Sequence, residues 1–153
     1  MNIRPFDWHD LPLLFRYRQH GLFLDSTLAF TRGTVLVPTG ALLAYFAPAT
    51  GIFTYLGNPG RGDGQPLVGQ VQHTAGTTFA RMTFLAPEEA VRSASLPALL
   101  DTITVEIGRR GAFHVLAEVA EDSPAFQALH EAGFAIYARQ RIWRLTGEPR
   151  GTS

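Results

Sequence analysis

The chain has 153 residues, 46% hydrophobic and 17% charged, with 13 basic side chains against 13 acidic ones; this length buries a sizeable core, and a charged fraction below the roughly 25% of average domains excludes a disordered chain. It contains no cysteine, and every basic residue is arginine. Disulfides, thiolate nucleophiles, Cys-ligated zinc, Walker-type phosphate loops and pyridoxal Schiff bases are therefore excluded, and the even charge leaves no basic excess for nucleic acid.

Ile3 and its neighbours form a short first strand broken by Pro5. Asp7 caps a helix with Asp10 three positions on, and Trp8, Leu11, Leu14, Phe15 and Arg18 recur at helical spacing to about Gln19. Arg4, Asp7 and Asp10 also interrupt any leader-like apolar run, so a cytoplasmic location is expected. Gly21 to Phe30 is irregular, a second short helix or a loop. From Gly33 to Gly60 there is no charged residue, but Pro48 and Gly51 cut the run, and Tyr45, Tyr55 and the threonines suit strands. Two strands joined at Pro48 to Gly51 are expected, and no membrane span. The turn formers of Asn58 to Gln65 make an exposed loop. Its Arg61-Gly62-Asp63 matches an adhesion motif over three residues only, without a secretion signal.

Leu67 to His73 and Thr77 to Leu85 read as a hairpin across Ala75 and Gly76. Ser95, Leu96, Leu99, Leu100, Ile103 and Ile107 form a helical stripe, with Ser93 or Ser95 as cap, Pro97 in the first turn and Gly111 as terminator. Phe113, Val115, Ala117 and Val119 alternate as a strand, and a right-handed crossover makes it parallel to the second hairpin strand. Asp122 or Ser123 then caps a short helix opened by Pro124 and stopped by Gly133, and Phe134 leads into a final strand to Leu145. One domain over 1–146 and a polar tail over 147–153 are expected.

The run AEVAEDSPAFQALHEAGF, preceded in the right order by MNIRPFDWHDLPLLFR and QPLVGQVQH, resembles the GCN5-related N-acetyltransferase (GNAT) superfamily. The resemblance implies an α/β (α+β) fold: a mixed, mostly antiparallel central sheet with a splayed parallel strand pair, flanked by helices. It further implies direct transfer of an acetyl or other acyl group from acyl-CoA to a small-molecule or peptide amine. The thioester arm would lie in the splay against the backbone of Phe84, Leu85 and Ala86, whose amides would stabilise the oxyanion. The family's Gln/Arg-x-x-Gly-x-Gly/Ala pyrophosphate turn falls on Val91, Arg92, Ser93, Ala94, Ser95 and Leu96, where both glycines are absent. Asp122 stands where the family often has an asparagine near the cofactor, although a helix cap also explains it.

Leu129 occupies the position of the family's tyrosine acid, with His130 beside it. His130 is a candidate acid, with a surface histidine as the plainer account. Glu118, in a strand, and His73, at a strand end, are candidate general bases, each also readable as a structural polar group. His9, His20 and His114 show no metal-ligand spacing, so no metal site is expected. The alternative function is a GNAT-fold binding or dimerisation module that no longer uses acyl-CoA, and a homodimer fits either reading.

Overall fold

The computed structural model describes residues 1–30, 33–59 and 64–143. The Arg61-Gly62-Asp63 tripeptide and the expected polar tail lie outside them. The elements are β1 (Asn2–Pro5), α1 (Leu11–Tyr17), β2 (Leu22–Phe23), α2 (Ser26–Phe30), α3 (Gly33–Phe46), β3 (Ile52–Asn58), β4 (Leu67–Gln72), β5 (Phe79–Ala86), α4 (Leu96–Gly108), β6 (His114–Leu116) and α5 (Pro124–Glu131).

A reciprocal cap starts the first helical segment. The His9 amide donates to Asp7 Oδ1 at 3.0 Å and the Asp7 amide to Asp10 Oδ2 at 2.8 Å. Arg4 then grips both Asp10 oxygens at 2.7 and 2.6 Å, tying β1 to the turn that leads into α1. At the other end of the chain, Ser123 Oγ accepts from the Phe126 amide and Pro124 opens α5, as the sequence predicts.

The sheet runs β1-β3-β4-β5 with every neighbouring pair antiparallel, and the outer edge of β5 is shared by two strands. Parallel β6 pairs with its start, Phe79 to Arg81, and antiparallel β2 with its end, Phe84 and Leu85. Helices cover both faces. On one, α4 and α5 pack Leu99, Leu100, Ile103, Ile107 and Leu129 onto Tyr55, Val71, Met82 and Leu85. On the other, Leu14, Tyr17, Val37 and Ala41 from α1 and α3 meet Leu56, Val68, Phe84 and Ala86.

Strand β5 serves both cores and carries a β-bulge. Gln70 is opposite Phe84 but Val71 is opposite Met82, which leaves Thr83 as the extra residue. Ala80 and Met82 therefore face α4, whereas Phe84 and Ala86, continuing the same alternate positions, face α1 and α3. At Gly69 the opposite strand gives way to the helix: a Cβ there would stand 2.6 Å from Ile103 Cδ1.

Three expectations need correction. Gly33–Phe46 is a helix with Pro38 inside it, not a strand, and only Ile52–Asn58 after the left-handed Gly51 is extended. An uncharged helix has no polar face to mark its 3.6-residue period, and its β-branched and aromatic residues read as strand. The final strand is absent over residues 134–143, whose amides beyond Phe134 bond no other backbone group among the described residues. Strand β6 stops at Leu116, short of Val119, because β2 holds the next stretch of the β5 edge.

Candidate active site: the wedge between β5 and β6

The bulge at Thr83 bends β5 away from β6 immediately after their last pair, Arg81 and Leu116. A wedge opens there, and the chain's own residues 20–24 run through it. Leu22 and Phe23 pair with Leu85 and Phe84, the Leu24 amide donates to Thr83 O at 3.0 Å, and the Glu88 amide donates to His20 O at 2.7 Å. Across the wedge the Glu118 amide donates to Leu24 O at 2.9 Å. The β5 edge around Phe84, Leu85 and Ala86, where the resemblance would lay a thioester arm, is thus engaged by this strap.

Glu118 lies just past β6 at the wedge. Its Oε2 accepts from the Ser26 amide at 2.7 Å, at the start of α2, and its Oε1 from Arg81 Nη1 at 3.3 Å. Partial burial works against ionisation, but the bonds from Ser26 and Gln140 and the Arg81 charge prevail and hold the carboxyl below its ordinary pKa. Neighbouring Asp25 caps α2 by accepting from the Thr27 and Leu28 amides at 2.9 and 3.2 Å.

The turn from Val91 to Leu96 closes on itself. The Ser95 amide donates to Ser93 Oγ at 3.2 Å and the Leu96 amide to Ser93 O at 3.1 Å, while Pro97 has no amide hydrogen to offer. Leu96 points into the core, and Arg92 and Ala94 are exposed. A pyrophosphate cradle needs several free amides converging at a helix start, and these residues as they stand do not fit one. The exposed Arg92 guanidinium is the one cation among the six residues of the turn.

The remaining candidates lie elsewhere. His73 is buried at the hairpin end, its Nε2 3.0 Å from Thr77 O, and that end of β4 pairs near Arg81 rather than with the Phe84 end of β5. On α5, Leu129 is buried and His130 exposed, its ring stacked on Phe126 at 6.4 Å between centroids. Asp122, Phe126, His130, Ile136 and the ion pair Arg139–Glu121 line an open groove of about 760 Å³ on the outer side of α5. Among the described residues no cluster of His, Asp and Glu is arranged to hold a metal ion, and no helix is long and apolar enough to cross a membrane.

Sequence reasoning missed the strap and the bulge. Strand β2 is two residues long, too short for a period to show, and the only trace of the bulge is a polar Thr83 inside an apolar run.

No protein-family model matches the sequence, and no curated protein matches it. Solved structures do match in three dimensions, and what they share with this chain is a GNAT-like fold. The aminoglycoside 6'-N-acetyltransferase of Acinetobacter haemolyticus superposes with a TM-score of 0.65 at 16% identity, over 97% of this chain and 100% of that one. An aminoglycoside N-acetyltransferase in complex with CoA gives 0.62 at 12% identity, over 95% and 100%. An acetyltransferase of Trypanosoma brucei gives 0.59 at 20% identity, over 94% and 99%.

Proposed function

We propose that the chain is a GNAT-type N-acyltransferase that moves an acyl group from acyl-CoA to a small-molecule or peptide amine in the wedge between β5 and β6. The observation that carries this reading is the Thr83 bulge, which parts two parallel strands in a fold whose solved neighbours include acetyltransferases. In this reading the amine attacks the thioester carbonyl, the C–S bond breaks, the thiolate leaves with a proton, and the new amide nitrogen gives one up. Backbone amides of β5 near Phe84 to Ala86 would stabilise the oxyanion once residues 22–24 leave that edge. Arg92 supplies the charge for phosphate in place of an amide cradle. Glu118, at the wedge, is the candidate base nearest the chemistry in this reading.

A second reading is favoured by the strap and by the self-satisfied Ser93 turn: a binding or dimerisation module that does not use acyl-CoA. Titration with acetyl-CoA followed by thermal unfolding separates the two. A ligand at a hundred times its dissociation constant stabilises by about 2.7 kcal/mol, and transfer to an added amine panel releases free thiol. Stabilisation with thiol release supports acyl transfer. No shift at millimolar acetyl-CoA and no thiol would leave the second reading.

A further inference from the structure

We infer that Glu118 is a positioning residue that latches the strap of residues 20–24 across the wedge, so that entry of an acyl thioester along β5 is governed by release of this latch. The inference rests on the acyl-transfer reading of the wedge.

One residue holds the strap at two points. The Glu118 backbone amide bonds Leu24 O, and its side chain bonds the Ser26 amide two residues later. The same carboxylate reaches Arg81, the last β5 residue that pairs with β6. Glu118 therefore joins the three segments that meet where the wedge begins. Along β5 the strap is held by the Leu22–Leu85 and Phe23–Phe84 pairs and by the Leu24 amide on Thr83 O, and just beyond β5 by the Glu88 amide on His20 O. Strand β2 is two residues long, with Gly21 before it and the start of α2 soon after it, and so short a strand contributes few ladder bonds of its own. Its apolar anchors are Leu24, buried in the core, Leu22, packed against the same core, and Phe23, whose ring lies 5.3 Å from that of Phe84.

A ligand that needs the β5 edge binds only the open form, and its apparent affinity is reduced by the fraction of time the strap is closed. Weakening the latch should then tighten binding, the reverse of what loss of a binding group or general loss of structure would do.

The test uses Glu118→Ala and Ser26→Pro. The second variant removes the donated amide hydrogen at the first residue of α2, a position that tolerates proline, and keeps the experiment decisive if the first variant folds poorly. Hydrogen exchange at the Leu24 and Glu88 amides reports the strap without any ligand. Exchange there should quicken by roughly tenfold, as expected for loss of one hydrogen bond to a charged group, while amides between β3 and β4 keep their wild-type rates. The acetyl-CoA dissociation constant should fall by a similar factor. Unchanged exchange at Leu24 and Glu88 overturns the latch. Faster exchange with weaker or unchanged acetyl-CoA binding overturns the strap as the barrier to entry. If neither wild type nor variants bind acetyl-CoA, the acyl-transfer reading and the gating role both fail, and faster exchange would then establish only the physical tie.

Discussion

Gly21 and Gly108 show how differently two glycines can be constrained. A Cβ on Gly21 would sit 2.2 Å from Phe84 Cζ, a fully buried ring with nowhere to retreat, whereas Gly108, at the end of α4, faces open space. Gly21→Ala should lower the unfolding free energy by about 1–3 kcal/mol through overpacking. Gly108→Ala should raise it by about 0.4–1 kcal/mol by restricting the unfolded chain. Denaturant titration of both variants checks the contrast, and equal effects would contradict the packing at Gly21. Asp10 supports a pH prediction. Partial burial opposes its charge, but the Arg4 guanidinium and the Asp7 amide outweigh burial and hold its pKa below the ordinary 3.8. Because the folded value is the lower one, its stabilisation is present above about pH 4 and is lost as pH falls through the depressed value. Asp10→Asn should therefore flatten the acid limb of a stability-versus-pH curve. The Asp7 and Asp10 spacing was legible in the sequence as a cap, but the grip of Arg4 was not, since it depends on how β1 meets the following turn.

Elements were legible where their ends carry chemistry. Ser123, Pro124 and Gly133 bracket α5, and the apolar stripe from Leu96 to Ile107 defines α4, because a one-sided helix has both a period and punctuation. Helix α3 has neither. Residues 134–143 show the opposite failure: their alternation suits a strand, yet a strand needs a neighbouring edge and they have no ladder among the described residues. Helix α3 is also held by a buried polar group that the sequence does not announce. Gln70 Nε2 donates to Val37 O at 3.2 Å and to Thr54 Oγ1 at 3.1 Å, and Thr83 Oγ1 donates to Gln70 O at 3.2 Å. The side chain thereby links β4 to β3 and α3, beside the bulge. Gln70→Leu would strand buried partners, each costing about 1–3 kcal/mol. A loss on the order of 2 kcal/mol or more should appear as a lower denaturation midpoint with an unchanged slope, and a loss under about 0.5 kcal/mol would show that the partners find other bonds.

Across the whole molecule, the β4–β5 hairpin and the parallel crossover through α4 follow from connection rules, and the sequence was sufficient for both. The candidate site was less legible, because its geometry comes from one residue too many in one strand and from a segment far away in sequence that lies against it. That extra residue sets the course of β5 and not its sidedness. With Thr83 deleted, Phe84 would follow Met82 directly, and simple alternation would leave Met82 and Leu85 facing α4 and Phe84 facing α1 and α3, in step with Val71 and Gln70 of β4. Both helical layers would keep their side chains, so the deletion should leave cooperative unfolding in a denaturant titration, while the Leu24 amide, deprived of the Thr83 carbonyl, exchanges faster. The chain thus uses one supernumerary residue, rather than any particular side chain, to turn a strand without changing which side of the molecule either half serves.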